Sequence, residues 1–424
     1  MKYGLIGEHL PHSYSKEIHN KLAPYDYQLL ELDREALDGF MRALEFNAIN
    51  VTIPYKQDVI PYLSEIDEHA RLIGAVNTIV NRDGRLYGYN TDFYGMKTLI
   101  DSIPLSLMDK KVLILGTGGT AKTALAVANA MGAREIVTVS RRTTEKTVSY
   151  EEAYAYHTDA AVIINTTPCG MFPYPDGNEE RAGTPIDLSR FPTLSGVVDA
   201  IYNPLRPNLI LDARERGIPA EGGLLMLVAQ AIRAVEIFLG TELDHGAATR
   251  VCDEIRAQKE NIVLTGMPGS GKSTVGQALA ETLGRPLFDC DAEIVKKAGK
   301  PITEIFAEVG ERGFRDIETE VVREIAANHV GCIISTGGGA ILRDENIRAL
   351  KRNGRLYFLD RPLELLLPTP DRPLSSDNEA LRRRHNERYE RYCATCDVRI
   401  PNGGTPDEAI ATIRKDFFHE ALDH

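Results

Sequence analysis

Two glycine-rich turns hold the most specific chemistry in this chain. In KVLILGTGGTAKTALAVANAM, which starts near Lys111, Gly116, Gly118 and Ala121 fill a G-x-G-x-x-A spacing between a β-branched run and a helical one. Gly116 permits a tight turn, Gly118 lets backbone approach a pyrophosphate, and Ala121 allows a helix to pack close to its strand. The segment Thr117, Gly118, Gly119 and Thr120 then opens that helix and offers free N–H groups to an anion. The next apolar run, EIVTVS, ends where an NAD site would place an acidic residue for the ribose; Ser140, Arg141 and Arg142 stand there instead. Guanidinium groups at that place favour a 2′-phosphate, so NADP(H) is expected.

The second turn, in IVLTGMPGSGKSTVGQAL, reads G-x-x-x-x-G-K-S between a strand and a helix. Backbone N–H groups from Gly269, Ser270, Gly271, Lys272, Ser273 and Thr274 should cradle phosphates. Lys272 would reach the β and γ groups and the Ser273 hydroxyl would sit on Mg²⁺, which predicts ATP with Mg²⁺ as the second nucleotide.

The elements that must position these turns are short β-branched runs alternating with helical stretches: LIG near Leu5, NAINVTI to Ile53, KVLILG, EIVTVS, AVIINT and GVVDAIY to Tyr202. Such alternation predicts parallel α/β sheets. The helical stretch LLMLVAQAIRAVEIFLG ends at Gly240, and a polar segment through RAQKEN leads into a new strand, IVLTG, so a main boundary is expected near Lys259. A chain of 424 residues needs several cores. The formal net charge of -12 opposes nucleic acid as a main partner. The six cysteines are scattered, the start MKYGLIG reads as a strand without a leader, and the most apolar run, Leu224 to Ile232, falls short of a bilayer span. A cytoplasmic protein without a membrane segment is expected. Cys393 and Cys396 form a lone C-x-x-C with no further ligands at zinc spacing, so no zinc site is read there.

Outside the first turn, HSYSKEIHN, NVTIPYK, GAVNTI, GYNTDFYG, NTTPCGM, DAIYNP and GGLLMLVAQ occur in order. These segments, from Met1 to about Ile255, resemble the shikimate dehydrogenases. The resemblance implies an α/β substrate-binding domain at 1–95 plus 224–258 and a Rossmann NADP-binding domain at 96–223. Reducing a ketone requires a hydride donor and a proton donor within hydrogen-bond reach. By carry-over Lys56 relays the proton and Asp92 orients it and a substrate hydroxyl. Ser13 and Ser15 should bind the substrate carboxylate, while Thr52, Asn77, Tyr202 and Gln230 hold ring hydroxyls; Ala200, Gly223 and Met226 should lie near the nicotinamide. Gln230 sits on an apolar helix, where its amide needs partners that a hydroxylated ring could supply.

After the second turn, FDCDAEI, GERGFRDIE, STGGGAIL, DRPLS and RYERY resemble the shikimate kinases from about Asn261 to the end, which implies a P-loop kinase domain at 260–424 with a parallel sheet. The implied roles are Asp291 at the attacking hydroxyl, Asp289 in the metal's water shell, Arg315 and Arg388 on the substrate carboxylate, and Gly338 against the ring. Arg372 is the candidate lid arginine over ATP, and Glu318 orients Arg315. The expected reactions are reduction of 3-dehydroshikimate to shikimate and phosphorylation of shikimate to its 3-phosphate. Two alternatives compete: a quinate-using dehydrogenase fused to the kinase, which cofactor choice at Arg141 and Arg142 would separate, and a nucleotide-sensing module without catalysis. Intact Lys56, Asp92, Lys272, Asp289 and Asp291 count against the sensor, which needs no proton-transfer groups.

Overall fold

Each β-branched run named above becomes a strand; all are largely buried except EIVTVS, whose strand is mostly half-buried. The computed structural model describes residues 2–10, 14–172, 183–366 and 378–418. The chain divides into two compact units, Met1–Glu254 and Ile255–His424. In the first unit β1 (Tyr3–Gly7), β2 (Tyr27–Glu31), β3 (Ala48–Val51), β4 (Glu65–Ile66), β5 (Thr78–Arg82) and β6 (Arg85–Tyr89) form one sheet in the order β2-β1-β3-β5-β6-β4. Helices α1 (Ser15–Leu22), α2 (Arg34–Ala43), α3 (Glu68–Ile73) and α4 (Asp92–Asp101) accompany it. This sheet is mixed, unlike the parallel sheet expected, because β5 pairs antiparallel with both β3 and β6. The cause is local. Asp83 and Gly84, at φ 51 and 82, turn the chain in two residues and leave no room for a crossover helix.

The second sheet, β7 (Lys111–Leu115), β8 (Glu135–Val139), β9 (Val162–Asn165), β10 (Gly196–Asp199) and β11 (Ala220–Glu221), is wholly parallel in the order β11-β10-β9-β7-β8. It is wrapped by α5 (Gly119–Ala130), α6 (Tyr150–Tyr156) and α7 (Asn208–Glu215), and Ile114, Val127, Ile164 and Val198 are fully buried between them. Helix α8 (Leu224–Leu239) then returns to α4, so closely that a Cβ on Gly95 would meet the Met226 carbonyl at 2.5 Å. Helix α9 (Ala247–Lys259) carries the division between the units inside it, a few residues before the Lys259 boundary expected.

The second unit is a parallel sheet of β12 (Asn261–Thr265), β13 (Leu287–Asp289), β14 (Ile333–Ser335), β15 (Gly354–Asp360) and β16 (Val398–Pro401), ordered β13-β14-β12-β15-β16. Around it lie α10 (Lys272–Leu283), α11 (Cys290–Ala298), α12 (Ile302–Asn328), α13 (Asp344–Asn353), α14 (Asn378–Thr395) and α15 (Pro406–Phe417). In both parallel sheets the first strand, β7 or β12, lies inside the sheet, and later strands are added on both sides of it. A crevice therefore opens at the carboxyl end of that strand, where α/β proteins bind ligands.

Candidate active sites

Lys56 follows the exit of β3, where the Val76 N–H holds its carbonyl at 2.8 Å, and Asp92 is the first residue of α4. The two meet: Lys56 Nζ donates to Asp92 Oδ2 at 2.6 Å, with 27% and 18% of the side chains still exposed. An ammonium paired with a carboxylate and still reachable by solvent can give a proton to a bound oxygen and regain it. Behind the pair, the buried Asn77 accepts on Oδ1 from the Thr91 N–H at 2.8 Å and the Thr78 hydroxyl at 3.0 Å. Its Nδ2 meets no acceptor among the described residues. The Thr91 hydroxyl lies 3.2 Å from Asn77 Oδ1 and 3.3 Å from Gln230 Oε1, and so joins α8 to the sheet. Gln230 Nε2 donates to the Leu227 carbonyl at 3.0 Å. The Gln230 amide thus has protein partners at both ends, unlike the sequence expectation that a ligand would supply them, and keeps one N–H spare. Thr91 was overlooked, although it stands in the GYNTDFYG segment.

Thr52 is half-buried at the same strand exit, and Ser15 opens α1. Ser13 and Arg372 lie outside the described residues. The Tyr202 ring lies 5.3 Å from that of Tyr14. Burial pushes the Tyr14 hydroxyl up to about 12, with Tyr202 adding to the effect, and burial also raises Tyr202. Both phenols stay neutral donors at ordinary pH.

At the dinucleotide turn Gly116 has φ 109, and a Cβ there would come 2.8 Å from Thr166 Oγ1, so nothing larger fits. Gly118 and Gly119 differ: apart from their chain neighbours and the helix's own backbone, no atom of the described residues lies within 4 Å of a Cβ at either, which leaves their exposed side open to a ligand. Gly118 precedes α5 without a side-chain cap, so the first-turn N–H groups, those of Thr120 and Ala121 among them, remain for an anion. The Ser140 hydroxyl reaches Thr147 Oγ1 at 3.2 Å and folds the turn that carries the exposed Arg141 and Arg142. At the far side the Ala200 carbonyl presses on Gly223 where a Cβ would stand, next to the buried Met226. Asn165 and Asp199, at the ends of β9 and β10, bond to each other at 3.0 Å and were also overlooked.

In the second unit Lys272 Nζ donates to the Gly266 and Met267 carbonyls at 2.9 and 3.0 Å. Ser273 Oγ lies 3.3 Å from Asp289 Oδ2, while Asp289 Oδ1 caps α11 through the Asp291 and Ala292 N–H groups. Two adjoining oxygen donors beside a phosphate nest suit Mg²⁺, which keeps most of its water. Around the Gly337 to Gly339 turn the groups converge. A Cβ on Gly337 would meet Glu318 Oε1 at 2.7 Å and Asp291 Oδ1 at 2.8 Å, and one on Gly339 would strike the Arg315 guanidinium. Arg315 donates to Glu318 Oε2 at 2.7 Å. Burial raises the Glu318 carboxyl, Arg315 opposes the shift and Asp291 adds to it. Arg388 donates to the Gly338 carbonyl at 3.0 Å, and the Tyr392 hydroxyl shares that acceptor. Arg388 is 3% exposed, yet its second terminal nitrogen has no partner among the described residues. Burial lowers its affinity for its proton, and the charge of Arg315 pushes the same way. Two buried, mutually repelling guanidiniums with a spare N–H are suited to an anion.

The fold and the two glycine turns are those of a dinucleotide-dependent dehydrogenase followed by a P-loop kinase. Residues 5–79 match the family model of the shikimate dehydrogenase substrate binding domain, and residues 268–417 match that of shikimate kinase. A shikimate dehydrogenase (NADP(+)) of Clostridium beijerinckii is 37% identical over 258 residues, which span 57% of this chain and 93% of the relative. The structure of shikimate dehydrogenase 1 from Peptoclostridium difficile superposes with a TM-score of 0.53 at 33% identity, over 60% of this chain and 98% of that one. A chorismate mutase/shikimate 5-dehydrogenase fusion protein from Clostridium acetobutylicum gives 0.55 at 33%, over 60% and 96%. The chain belongs to the shikimate dehydrogenase family and carries a shikimate kinase domain behind it; it is a bifunctional enzyme, oxidoreductase and kinase in one polypeptide.

Proposed function

We propose that the first unit reduces 3-dehydroshikimate to shikimate with NADPH and that the second phosphorylates shikimate to shikimate 3-phosphate with ATP and Mg²⁺. When bound, NADPH supplies a hydride and ATP the phosphoryl group. Lys56 gives its proton to the carbonyl oxygen as negative charge develops there, and Asp92 holds the ammonium at 2.6 Å in line for that transfer. Asn77, through Nδ2, and Gln230, through its spare N–H, hold ring hydroxyls, with Thr52 and Tyr202 beside them, and Ser13 and Ser15 take the carboxylate. The turn carrying Gly116, Thr117, Gly118, Gly119 and Thr120 binds the pyrophosphate; Ser140, Arg141 and Arg142 hold the 2′-phosphate, and Ala200 and Gly223 border the nicotinamide. We assign 1–95 plus 224–258 to substrate binding, 96–223 to NADP binding and 260–424 to the kinase.

In the kinase, Arg315 and Arg388 bind the carboxylate and neutralise their own repulsion in doing so. The Gly338 carbonyl is held by Arg388 and Tyr392, so its N–H is the group that faces the ring. Asp291 accepts the proton of the attacking hydroxyl, Ser273 and Asp289 hold the metal and its water, Lys272 moves onto the phosphates, and Arg372 covers them. The pairing of Lys56 with Asp92 carries the first assignment, and the unpaired buried nitrogen of Arg388 carries the second. The setting we favour is the cytoplasm, with neither nucleic acid nor membrane as partner: among the described residues no helix is long and apolar enough to cross a membrane. The test is to incubate the protein with 3-dehydroshikimate, NADPH, ATP and Mg²⁺ and identify the products. Formation of shikimate 3-phosphate is expected; NADPH oxidation without a phosphorylated product would refute the kinase half, and no oxidation would refute the dehydrogenase half.

A further inference from the structure

The middle of the phosphate loop is tied to a residue far along the chain. Asn402 Nδ2 donates to the Ser270 carbonyl at 2.6 Å, and both residues are buried, at 3% and 0% exposure. Asn402 is itself fixed, because it follows β16 directly and its N–H donates to the Asp360 carbonyl at the end of β15 at 2.9 Å. The amide that holds Ser270 is therefore anchored on two strands of the sheet.

A peptide unit is planar and trans, so its C=O and N–H point in opposite directions. Tying the Ser270 carbonyl toward Asn402 turns the Gly271 N–H the other way, away from the strands. On the other side of Ser270, its own N–H is held by the Met267 carbonyl at 3.1 Å. The next residue, Gly271, has φ 87 and leads straight into α10 at Lys272. Alternation of ordinary and left-handed residues lines up N–H groups into an anion-binding concavity, and such a concavity works only while its peptide planes are held. Without Asn402 the Ser270 carbonyl would be buried with no donor among the described residues, and a flip of that one peptide would satisfy it while turning the Gly271 N–H out of the nest.

We propose that Asn402 is a positioning residue that sets the Ser270–Gly271 peptide plane and through it the nucleotide affinity of the kinase unit. The proposal rests on reading this unit as ATP-binding. Asn402 touches no reacting atom in this role. Its loss should weaken the nucleotide and leave the binding of the acceptor alcohol alone.

The test uses the full-length protein and the fluorescent nucleotide mant-ADP, titrated without shikimate, together with kinase kinetics in both substrates. Asn402→Ala should weaken mant-ADP and raise KM for ATP about tenfold, the equivalent of one hydrogen bond, while KM for shikimate stays within about twofold. Asn402→Asp keeps the shape and reverses the polarity. At high pH its carboxylate faces the Ser270 carbonyl and nucleotide binding should be weaker still. At low pH the protonated carboxyl can donate, so the deficit relative to the parent should shrink as pH falls. A packing role alone would give no such recovery, and the aspartate variant decides the matter if the alanine variant does not fold. Unchanged mant-ADP binding in Asn402→Ala, an equal rise of both KM values, or a deficit in Asn402→Asp that does not vary with pH would overturn the proposal. Failure of the parent protein to bind mant-ADP would instead overturn the kinase reading itself.

Discussion

Replacing Asp199 by Asn should make the dehydrogenase unit less sensitive to alkaline pH. Asp199 ends β10 with no exposed surface. Its Oδ1 accepts from the Ile201 N–H at 2.9 Å and from Asn165 Nδ2 at 3.0 Å, and its Oδ2 meets no donor among the described residues. Burial pushes the carboxyl from the ordinary 3.8 up to about 7, and the two hydrogen bonds only partly oppose it. The folded chain thus keeps a proton that the unfolded chain has lost. Stability from this group is full below 3.8 and fades as pH rises through about 7. The whole interval is equivalent to about 4 kcal/mol, of which about 2 kcal/mol is lost between about pH 5.5 and about pH 8.5. Asn fills the same volume, retains an acceptor at Oδ1 and carries no charge at any pH. The assay is the urea concentration that halves dehydrogenase activity in the full-length protein, measured at the two pH values after equilibration. With a denaturant slope of ~2 kcal/mol/M, the parent midpoint should fall by about 1 M more than that of Asp199→Asn over this range. Parallel curves for the two proteins would refute the reasoning, because they would mean that the buried carboxyl does not titrate where its surroundings place it.

Lys56→Ala should lower dehydrogenase kcat by ~10² to 10⁴ with little change in NADPH affinity, as steady-state kinetics and a fluorescence titration of NADPH would show. Replacing Arg141 and Arg142 together by Ala should weaken NADPH roughly tenfold and leave NADH nearly unchanged; equal losses would assign the arginines to stability and revive the quinate-type, NAD-using reading. Gly339→Ala drives a methyl group into the Arg315 guanidinium, so KM for shikimate should rise by about 10² while mant-ADP binding stays near that of the parent. Lys272→Ala should abolish phosphorylation and leave the dehydrogenase within about twofold, as expected of sites in separate units that share no residue; loss of both activities would show that the sites are coupled.

The two glycine turns were legible in the sequence and the long-range contacts that support them were not, for a physical reason. Gly116, Gly118 and Ala121, or Gly271, Lys272 and Ser273, act as one local turn, so their spacing along the chain is their spacing in space. Strand positions were equally plain where apolar runs are buried along their length, as in β7, β9, β10 and β12. The mixed order of the first sheet is less plain, because alternation of strand and helix points to parallel pairing, whereas the two-residue Asp83–Gly84 turn, an ordinary hairpin signal, makes β5 and β6 antiparallel.

The supports differ because they are long-range. Thr91 meets Gln230 across 139 residues, Asn402 meets Ser270 across 132, and Asn165 meets Asp199 across 34. A buried polar side chain costs stability unless it finds a partner, and its residue type alone does not say where that partner lies. Asn402 shows the consequence. In PNGGT it reads as a turn former, the bland and locally sufficient explanation for Asn before two glycines. Only the sheet order, with β15 next to β12 and β16 next to β15, brings that turn against the loop leaving β12 and converts the same amide into the group that holds the Ser270 carbonyl. The chemistry was therefore readable from types and spacing, and the positioning of that chemistry was readable only from topology.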